Sequence, residues 1–507
     1  MASSQSEQAS PARRGDILLL AGIALAFAIA HTLTNGRYGF HRDELQFLAD
    51  ARHLDWGFVA YPPITPLLEH IGLAIFGLSL TWLRIFSVLA QAAVILISGL
   101  MTRDLGGSRI AQVFTALAVG LSPLPLFEAT EFQYSSFDLL WWVLIACFTI
   151  RLLKTENPRW WLAIGITTGL GLETKYSITF YIAGILAGVA LTNARRYLTS
   201  LWFWTGIAIA LAIFAPNFAW LARHNFVSYR FLQHIHARDV SIGRADGFLR
   251  DQLLLGANLA AAPVWIIGLI AYLRSPRYRM LAWMYLVPVA IFWLAKGRFY
   301  YVCAAYPMLI AMGSATSEQW LATRPRWVRT AVPAFFFAGV AAIGAYAVAR
   351  IVPIANSGPL RDFALDHNDD LREEIGWEEM VAKVAAIRDS LPPDQQANLG
   401  IGVGNYGEAG AIEMLGPKYH LPRPISPTNS FWYRGYPTPP PTTIILLGNS
   451  RERADQLFTG CRLAAHNTNS EGVKNEESQS HPDIYLCGPL KGSWPELWKA
   501  VQDRDFG

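Results

Sequence analysis

The chain has 507 residues, of which 52% are hydrophobic and only 16% are charged, a composition too apolar for an ordinary soluble protein. Residues 1–350 carry 28 Lys and Arg against 17 Asp and Glu, whereas residues 351–507 carry 14 against 21. The positive charge of the first part lies in short segments between apolar runs, which excludes a nucleic-acid-binding surface and indicates a membrane domain.

The first fifteen residues are polar and are predicted to form a cytoplasmic tail. The apolar run that follows, Asp16 to Thr34, is long enough to cross a membrane, and no small-residue cleavage site follows it. We therefore expect an uncleaved first span.

Eleven apolar runs between residues 16 and 350 have about the length of one membrane crossing each. They lie near 16–34, 82–102, 109–127, 134–153, 159–174, 176–192, 198–221, 252–273, 280–296, 299–321 and 328–350. The shorter segment 66–80 is predicted to be an interfacial helix leading into the second span. The sequence thus predicts a multi-span α-helical membrane domain over residues 16–350.

Basic residues recur in alternate segments between these runs. They are Arg13 and Arg14; Arg103 and Arg109; Arg151, Lys154 and Arg159; Arg195 and Arg196; Arg274, Arg277 and Arg279; and Arg324, Arg326 and Arg329. With eleven spans they all fall on one side, which the positive-inside rule makes cytoplasmic. The N-terminus is then predicted to be cytoplasmic and the C-terminus extracytoplasmic.

The first predicted outer loop, residues 35–81, contains the consecutive ionisable residues His41, Arg42, Asp43 and Glu44. Ionisable groups beside a bilayer are functional candidates, although a solvated loop explains them equally well. Neighbouring helical residues point about 100° apart, so at most one of the two carboxylates faces a given reacting atom. Such a carboxylate could act as a general base or merely complement a helix dipole.

Other polar residues stand near predicted outer ends of spans. Asp138 lies just inside the fourth span, and Lys175 interrupts an apolar stretch. The run KGRFYYVCAAYP brings Lys296, Arg298 and Tyr301 to one span end, and two cations with phenols suit a phosphate. The alternatives are a bond from Asp138 to a neighbouring helix, a lysine that snorkels to the surface and an interfacial anchor.

From Ile351 onward the chain becomes acidic and richer in Pro and Gly, and no further span is predicted. A helical pattern covers 361–390, and Leu399–Val403 and Thr443–Leu447 are typical of short buried strands. The GVGNYG run after the first strand lacks the spacing of a dinucleotide-binding fingerprint. Residues 351–507 are therefore predicted to form an extracytoplasmic α/β domain.

The chain has four cysteines. Cys147 lies within a predicted span, and Cys303 lies near an outer span end. Cys461 and Cys487 both fall in the part predicted to lie outside, where disulfides persist. We expect these two to pair.

Together these segments resemble family 39 glycosyltransferases of the GT-C superfamily, which include protein O-mannosyltransferases and lipid A aminoarabinose transferases. The resemblance covers most of residues 16–350. Its pieces are the Asp43-Glu44 pair after the first span, the Pro62-Pro63 pair, Asp138, Lys175 and the KGRFYYVCAAYP run. The NYGEAGAI and NSFWYRGY segments resemble the outer domain of some bacterial members.

The resemblance implies an enzyme of the bacterial plasma (inner) membrane that moves a sugar from a polyprenyl-phosphate donor to an extracytoplasmic hydroxyl, with inversion. The acceptor would be a lipid, a glycan or a protein. Asp43 would be the catalytic base, and Glu44 and Asp138 would assist through the acceptor or a divalent metal ion. The implied donor-phosphate residues are Lys175, Lys296, Arg298 and Tyr301. Candidates for acceptor or outer-domain contacts are Tyr61, Asn405, Tyr406, Glu408, Trp432 and Tyr433.

Two other classes stay open at this point. A transporter would line a substrate path with its intramembrane charges, but the internal repeats that would favour it are not evident. A non-catalytic membrane scaffold would need the Asp43-Glu44 loop to be merely solvated. An Asp43→Asn variant separates these classes, because the scaffold keeps its function and the enzyme loses most of it.

Overall fold

The computed structural model describes residues 11–501, with side chains from residue 14 onward. Residues 1–10 of the predicted N-terminal tail lie outside the described part. A helical region, residues 11–351, is followed by a C-terminal region, residues 352–501, in which helices surround a five-stranded sheet.

The helical region consists mostly of apolar helices joined by short turns. They are α1 (Pro11–Thr34), α2 (Arg42–Ala51), α3 (Ile64–Phe76), α4 (Leu80–Leu83), α5 (Ile85–Asp104), α6 (Arg109–Gly120), α7 (Pro123–Thr130), α8 (Tyr134–Thr155), α9 (Trp160–Leu172), α10 (Ile178–Leu191), α11 (Leu201–Arg223), α12 (Val227–Ser241), α13 (Phe248–Leu254), α14 (Ala262–Arg274), α15 (Arg279–Leu294), α16 (Tyr306–Ala322) and α17 (Arg326–Ile351). Each of the eleven predicted apolar runs overlaps at least one of these helices, and the predicted interfacial segment overlaps α3.

Five helical stretches of the described residues are long and apolar enough to cross a membrane: α1 from Arg14, α4 with α5, α8, α11 and α17. Three bent helix pairs raise the number to eight if each pair is one span. They are α6 with α7, α10 with the 3-10 turn Asn193–Thr199, and α13 with Leu259–Arg274. The predicted class of membrane protein is confirmed, whereas the number of crossings stays a prediction.

Glycines set the closest contacts between neighbouring apolar helices. A Cβ added at Gly165 of α9 would lie 2.2 Å from the Gly206 carbonyl oxygen of α11. A Cβ at Gly313 of α16 would lie 1.8 Å from the Val264 carbonyl oxygen of α14. Small residues allow such close backbone approach, which is how helices associate in lipid, where burial of apolar surface gives no driving force between them.

The C-terminal region contains α18 (Pro359–His367), α19 (Asp369–Arg372), α20 (Trp377–Asp389), α21 (Pro393–Ala397), α22 (Tyr406–Leu415), α23 (Arg451–Leu457), α24 (Glu476–Gln479) and α25 (Trp494–Val501). The strands are β1 (Leu399–Gly402), β2 (Pro424–Ile425), β3 (Thr443–Leu446), β4 (Arg462–His466) and β5 (Asp483–Cys487). Both predicted strands are present, as β1 and β3. The strand order is β2-β1-β3-β5-β4, with β2, β1 and β3 parallel and β5 antiparallel to its neighbours. A disulfide joins Cys461 to Cys487.

Helix α2 packs against both regions. Its Leu45 and Leu48 belong to the same buried apolar cluster as Met380 of α20 and Ile412 of α22. Its Phe47 belongs to a second cluster formed with aromatic residues of the helical region. The helix of the first predicted outer loop is therefore part of the core of the C-terminal region.

Candidate active site

The charged run at the start of α2 begins the helix. The His41 backbone is extended, and its ring nitrogen accepts a hydrogen bond from the Asp43 amide at 3.3 Å. The Glu44 carboxylate accepts a hydrogen bond from the His41 amide at 2.8 Å. This capping box satisfies amides that the first helical turn leaves unpaired, and the helical rotation separates the directions of Asp43 and Glu44.

Glu44 lies in a buried ion pair. Arg84, which is 0% exposed, donates to both carboxylate oxygens of Glu44 at 2.7 Å and to Glu374 of the C-terminal region at 3.0 Å. The Phe132 amide donates a further hydrogen bond to Glu44 at 2.8 Å. Both oxygens of Glu44 are thus engaged, and the arrangement joins α2 to α5 and to the C-terminal region.

Asp43 has different partners and remains partly exposed. The Tyr406 hydroxyl donates to one carboxylate oxygen at 2.8 Å, and the Gln133 amide donates to the other at 3.1 Å. Burial acts to raise the pKa of Asp43, but the nearby His41 and Arg42 side chains and these two hydrogen bonds outweigh it. The pKa therefore lies below its ordinary value, and the carboxylate is ionised at neutral pH.

Helix α22 brings Tyr406 to α2. Asn405 accepts a hydrogen bond from the Glu408 amide at 2.8 Å, and the Glu408 carboxylate accepts one from the Gly404 amide at 3.0 Å. Asn405 and Glu408, two predicted contact residues, thus cap α22. A Cβ at Gly410 would lie 2.5 Å from the Leu45 backbone, so glycine is needed for this close approach.

A second polar contact fixes the other end of α2. The fully buried Asp50 accepts hydrogen bonds from the Tyr61 hydroxyl and from the Arg434 guanidinium. Arg434 also lies 4.1 Å from the ring centroid of Phe431. Tyr61, another predicted contact residue, is only 3% exposed, so the structure places it in the support of the first loop.

Asp138 and Lys175 lie close to one another near the start of α8. Asp138 accepts hydrogen bonds from the Trp142 indole at 3.1 Å and from the Ser177 hydroxyl at 3.0 Å. The Lys175 ammonium lies 4.9 Å and 4.7 Å from the ring centroids of Tyr134 and Tyr301, within the range of cation–π attraction. Asp138 is near enough to interact with its charge. The structure therefore brings three predicted residues, Asp138, Lys175 and Tyr301, together.

The other two predicted phosphate residues lie in different surroundings. Arg298 donates to both oxygens of Asp239 in α12, at 2.5 Å and 2.8 Å, and to the Tyr300 hydroxyl at 2.6 Å. Lys296 is exposed and has a left-handed backbone with φ 52° at the end of α15. Arg298 thus ties α12 to the span end, whereas the Lys296 side chain is exposed.

The arrangement does not fit a metal ion. Within residues 11–501, no group of three or more His, Cys, Asp and Glu side chains is set to hold one. Glu44 and Asp138, through which the resemblance implied a metal, both bind protein donors.

The sequence did not single out Arg84, Gln133 or Asp239. Arg84 stands alone in the apolar sequence LTWLRIFSVL, and a lone charge at the edge of a span was a usable signal. Gln133 and Asp239 have ordinary polar surroundings in the sequence. Their roles depend on contacts with Asp43 and Arg298, which lie 90 and 59 residues away.

Comparison with known proteins places this site in a recognised fold. Residues 60–220 match the family model described as dolichyl-phosphate-mannose-protein mannosyltransferase. The structure of ArnT from Cupriavidus metallidurans bound to undecaprenyl phosphate is similar, with a TM-score of 0.55 and 15% identity over 93% of this chain and 98% of that one. Its apo state gives 0.57 and 15% over 94% and 98%.

Arabinofuranosyltransferase AftD from Mycobacteria is also similar, with a TM-score of 0.51 and 13% identity over 94% of this chain and 40% of that one. Among proteins of curated function, none has a significantly similar sequence. The structural similarities, at these identities, show the fold. Together with the family match, they confirm the predicted resemblance: this chain has the fold of the GT-C membrane glycosyltransferases and, over residues 60–220, the sequence pattern of the mannosyltransferase family.

Proposed function

We propose that this protein is an integral-membrane glycosyltransferase that moves a sugar from a polyprenyl-phosphate donor to the hydroxyl of an extracytoplasmic acceptor. Asp43 is the base, and the reaction inverts the anomeric centre. The family match supports the reaction class. The similar fold of ArnT, whose structure contains undecaprenyl phosphate, supports a lipid-phosphate donor.

The state of Asp43 is the observation that carries the proposal. A general base must be ionised, reachable and held in place. Asp43 is partly exposed, is oriented by the neutral donors Tyr406 and Gln133, and has a depressed pKa. Glu44, its neighbour, is 1% exposed and paired with Arg84, so it cannot approach a substrate without breaking a buried ion pair.

The reaction balances as a single displacement. The acceptor hydroxyl gives its proton to Asp43 while its oxygen forms the bond to the anomeric carbon. The bond from that carbon to the phosphate oxygen breaks on the opposite face, and the phosphate keeps the electron pair. The leaving phosphate gains charge, so a fixed cation at its position lowers the barrier.

Lys175 is the cation best placed for this task. Its ammonium lies against the rings of Tyr134 and Tyr301, and the carboxyl groups of Asp138 and Glu128 lie near enough to interact with its charge. Arg298 is already paired with Asp239, which favours a role in fixing α12. Tyr301 could donate its hydroxyl to the same phosphate.

The orientation in the membrane belongs to the same proposal. With eleven crossings, the basic segments lie in the cytoplasm of a bacterium, and α2 and the C-terminal region lie outside its plasma membrane. The α/β architecture of that region fits an extracytoplasmic accessory domain. The sugar and the class of acceptor are left to the assay.

The test is sugar transfer by purified protein in lipid vesicles. A set of radiolabelled polyprenyl-phosphate sugars is offered with a membrane-lipid extract, a cell-envelope glycan or a secreted protein as acceptor. Both labelled product and released polyprenyl phosphate are measured for the wild type and for Asp43→Asn.

Transfer by the wild type and its loss in Asp43→Asn support the enzyme class and the base together. Equal transfer by both proteins keeps the class and contradicts the assignment of Asp43. If no donor gives either labelled product or released polyprenyl phosphate, the proposed function is contradicted.

A further inference from the structure

We propose that Tyr406 is a positioning residue that holds the Asp43 carboxylate from the C-terminal region, so that the base is complete only when that region is docked. This inference rests on the proposed function. It gives the C-terminal region a part in the reaction itself, beyond any contact with an acceptor.

The direction of the hydrogen bond follows from the partners of the hydroxyl. The Arg42 guanidinium donates to the Tyr406 oxygen at 3.0 Å, and arginine has no acceptor. The ionised Asp43 has no proton to donate, so the single proton of Tyr406 points to its Oδ1 atom, 2.8 Å away. Arg42 also lies over the Tyr406 ring, 4.8 Å from its centroid, and pairs with Glu476 of α24.

The contact positions Asp43 without saturating it. Each carboxylate oxygen accepts about two hydrogen bonds, and Oδ1 and Oδ2 receive one side-chain donor each from Tyr406 and Gln133. A lone pair on each oxygen therefore remains for an acceptor hydroxyl. Glu44 shows the contrast, since Arg84, Phe132 and the His41 amide all bind its carboxylate.

The position of Tyr406 depends on docking of the C-terminal region. The residue lies at the first helical position of α22, 363 residues after Asp43. Gly410, one turn further along, lies against the backbone of Leu45. The hydroxyl can reach Asp43 only while α2 and α22 are packed together.

Several charged or titratable groups face Asp43 from the elements around it. They are His41 and Arg42 of its own turn, Tyr406 of α22, Tyr134 of α8, Tyr61 of the first loop and Asp370 of α19. Glu131 lies 3.6 Å from the His41 ring. Among these, Tyr406 is the group whose hydroxyl donates to Asp43, so its removal is the specific test.

The experiment is a pH profile of transfer by Tyr406→Phe, which keeps the ring over Arg42 and removes the donor. Loss of a hydrogen bond to the ionised carboxylate raises its pKa, so we expect the acidic limb to move up by about one pH unit. We also expect kcat to fall about tenfold, with KM for the donor unchanged and the melting temperature within about 2 °C of wild type. Tyr436→Phe is the matched control, because Tyr436 packs on Trp494 and Trp498 within the C-terminal region.

A second variant covers the case in which Tyr406→Phe fails to fold. Replacement of Tyr406 by 3-fluorotyrosine keeps its shape and makes the phenol a stronger donor, so the acidic limb should move to lower pH. An acidic limb that stays in place in every folded variant overturns the inference while leaving the proposed function intact. If the wild type itself shows neither sugar transfer nor release of polyprenyl phosphate, the proposed function is contradicted instead.

Discussion

Asp43 and Glu44 are neighbours in the sequence, but they differ in exposure and in hydrogen-bond partners. Glu44 accepts from Arg84 on both oxygens and is 1% exposed. Asp43, the preceding residue, remains partly exposed and accepts from the uncharged donors Tyr406 and Gln133. A rotation of about 100° between neighbouring helical residues thus separates a carboxylate bound in an ion pair from one that the proposed reaction uses as its base.

Hydrogen-bond partners distinguish a structural carboxylate from a reactive one in a charged motif beside a membrane. A carboxylate in a buried ion pair is costly to disturb because its partner would stay buried and unpaired. A carboxylate held by neutral hydrogen bonds keeps its charge and can exchange a proton. The identity of the partners therefore separates the two roles better than burial alone.

The largest expected effect is on the structural side of this comparison. Arg84→Met leaves the Glu44 carboxylate buried without its cation, and removal of one partner from such a pair costs about 3–5 kcal/mol. We expect low yield of folded protein and a much lower melting temperature in detergent. Arg84→Lys, which keeps the charge, should lose less. A melting temperature of Arg84→Met equal to that of wild type would contradict the structural role.

A second comparison concerns the cations Lys175 and Lys296, which the sequence predicted to bind the donor phosphate. Lys175→Met removes an ammonium that lies between two rings beside Asp138, and loss of one charge-stabilising group lowers kcat about 100-fold. Lys296→Met removes an exposed lysine at the end of α15 and should stay within about twofold of wild type. Equal loss in both variants, measured by transfer from the labelled donor, would argue against Lys175 as the phosphate residue.

A smaller effect is expected where α2 meets α22. Gly410→Ala places a Cβ 2.5 Å from the Leu45 backbone, and such overpacking costs about 1–3 kcal/mol. We expect a lower melting temperature and a lower rate of transfer, because the displaced α22 carries Tyr406 away from Asp43. Gly492→Ala is the control, since no heavy atom lies within 4 Å of its added Cβ. Identical behaviour of both variants would show that the close helix contact is not needed.

The most gradual expected effect is a pH dependence of stability at Glu374. Burial, opposed by Arg84, raises the pKa of Glu374 to about 8. The folded state then binds more protons than the unfolded state between about pH 4.5 and 8, so stability falls as pH rises through that window. We expect the melting temperature to fall by about 2–4 °C per pH unit across this window from this group, and Glu374→Gln to flatten the slope. An unchanged slope in Glu374→Gln would assign the dependence to other groups.

The sequence predicted the helices and strands far better than the side-chain contacts between residues that lie far apart in the chain. Apolar periodicity located the membrane helices, and short apolar runs located β1 and β3. The charged run at Asp43 was recognised as a candidate site. Its division into two roles was not, because Arg84 lies 40 residues from Glu44 and Tyr406 lies 363 residues from Asp43. Contacts across such separations leave no local pattern in one sequence.

The residues that cap α22 show a second reason why the structure differs from the sequence prediction. Asn405 and Glu408 were predicted as contact residues because the NYGEAGAI segment that contains them resembles the outer domain of some bacterial family members. The structure places both in the capping box of α22, which uses the same residue types as a binding site does. Local composition alone does not separate these two uses.

The most direct test of the account compares Asp43→Asn with Glu44→Gln, with transfer measured per folded molecule and melting followed in parallel. We predict that Asp43→Asn melts close to wild type and loses about 10²–10⁴-fold in transfer. Glu44→Gln should melt at a lower temperature, while its folded fraction transfers sugar within a few-fold of wild type. A folded but inactive Glu44→Gln beside an active Asp43→Asn would contradict the assignment of the two carboxylates.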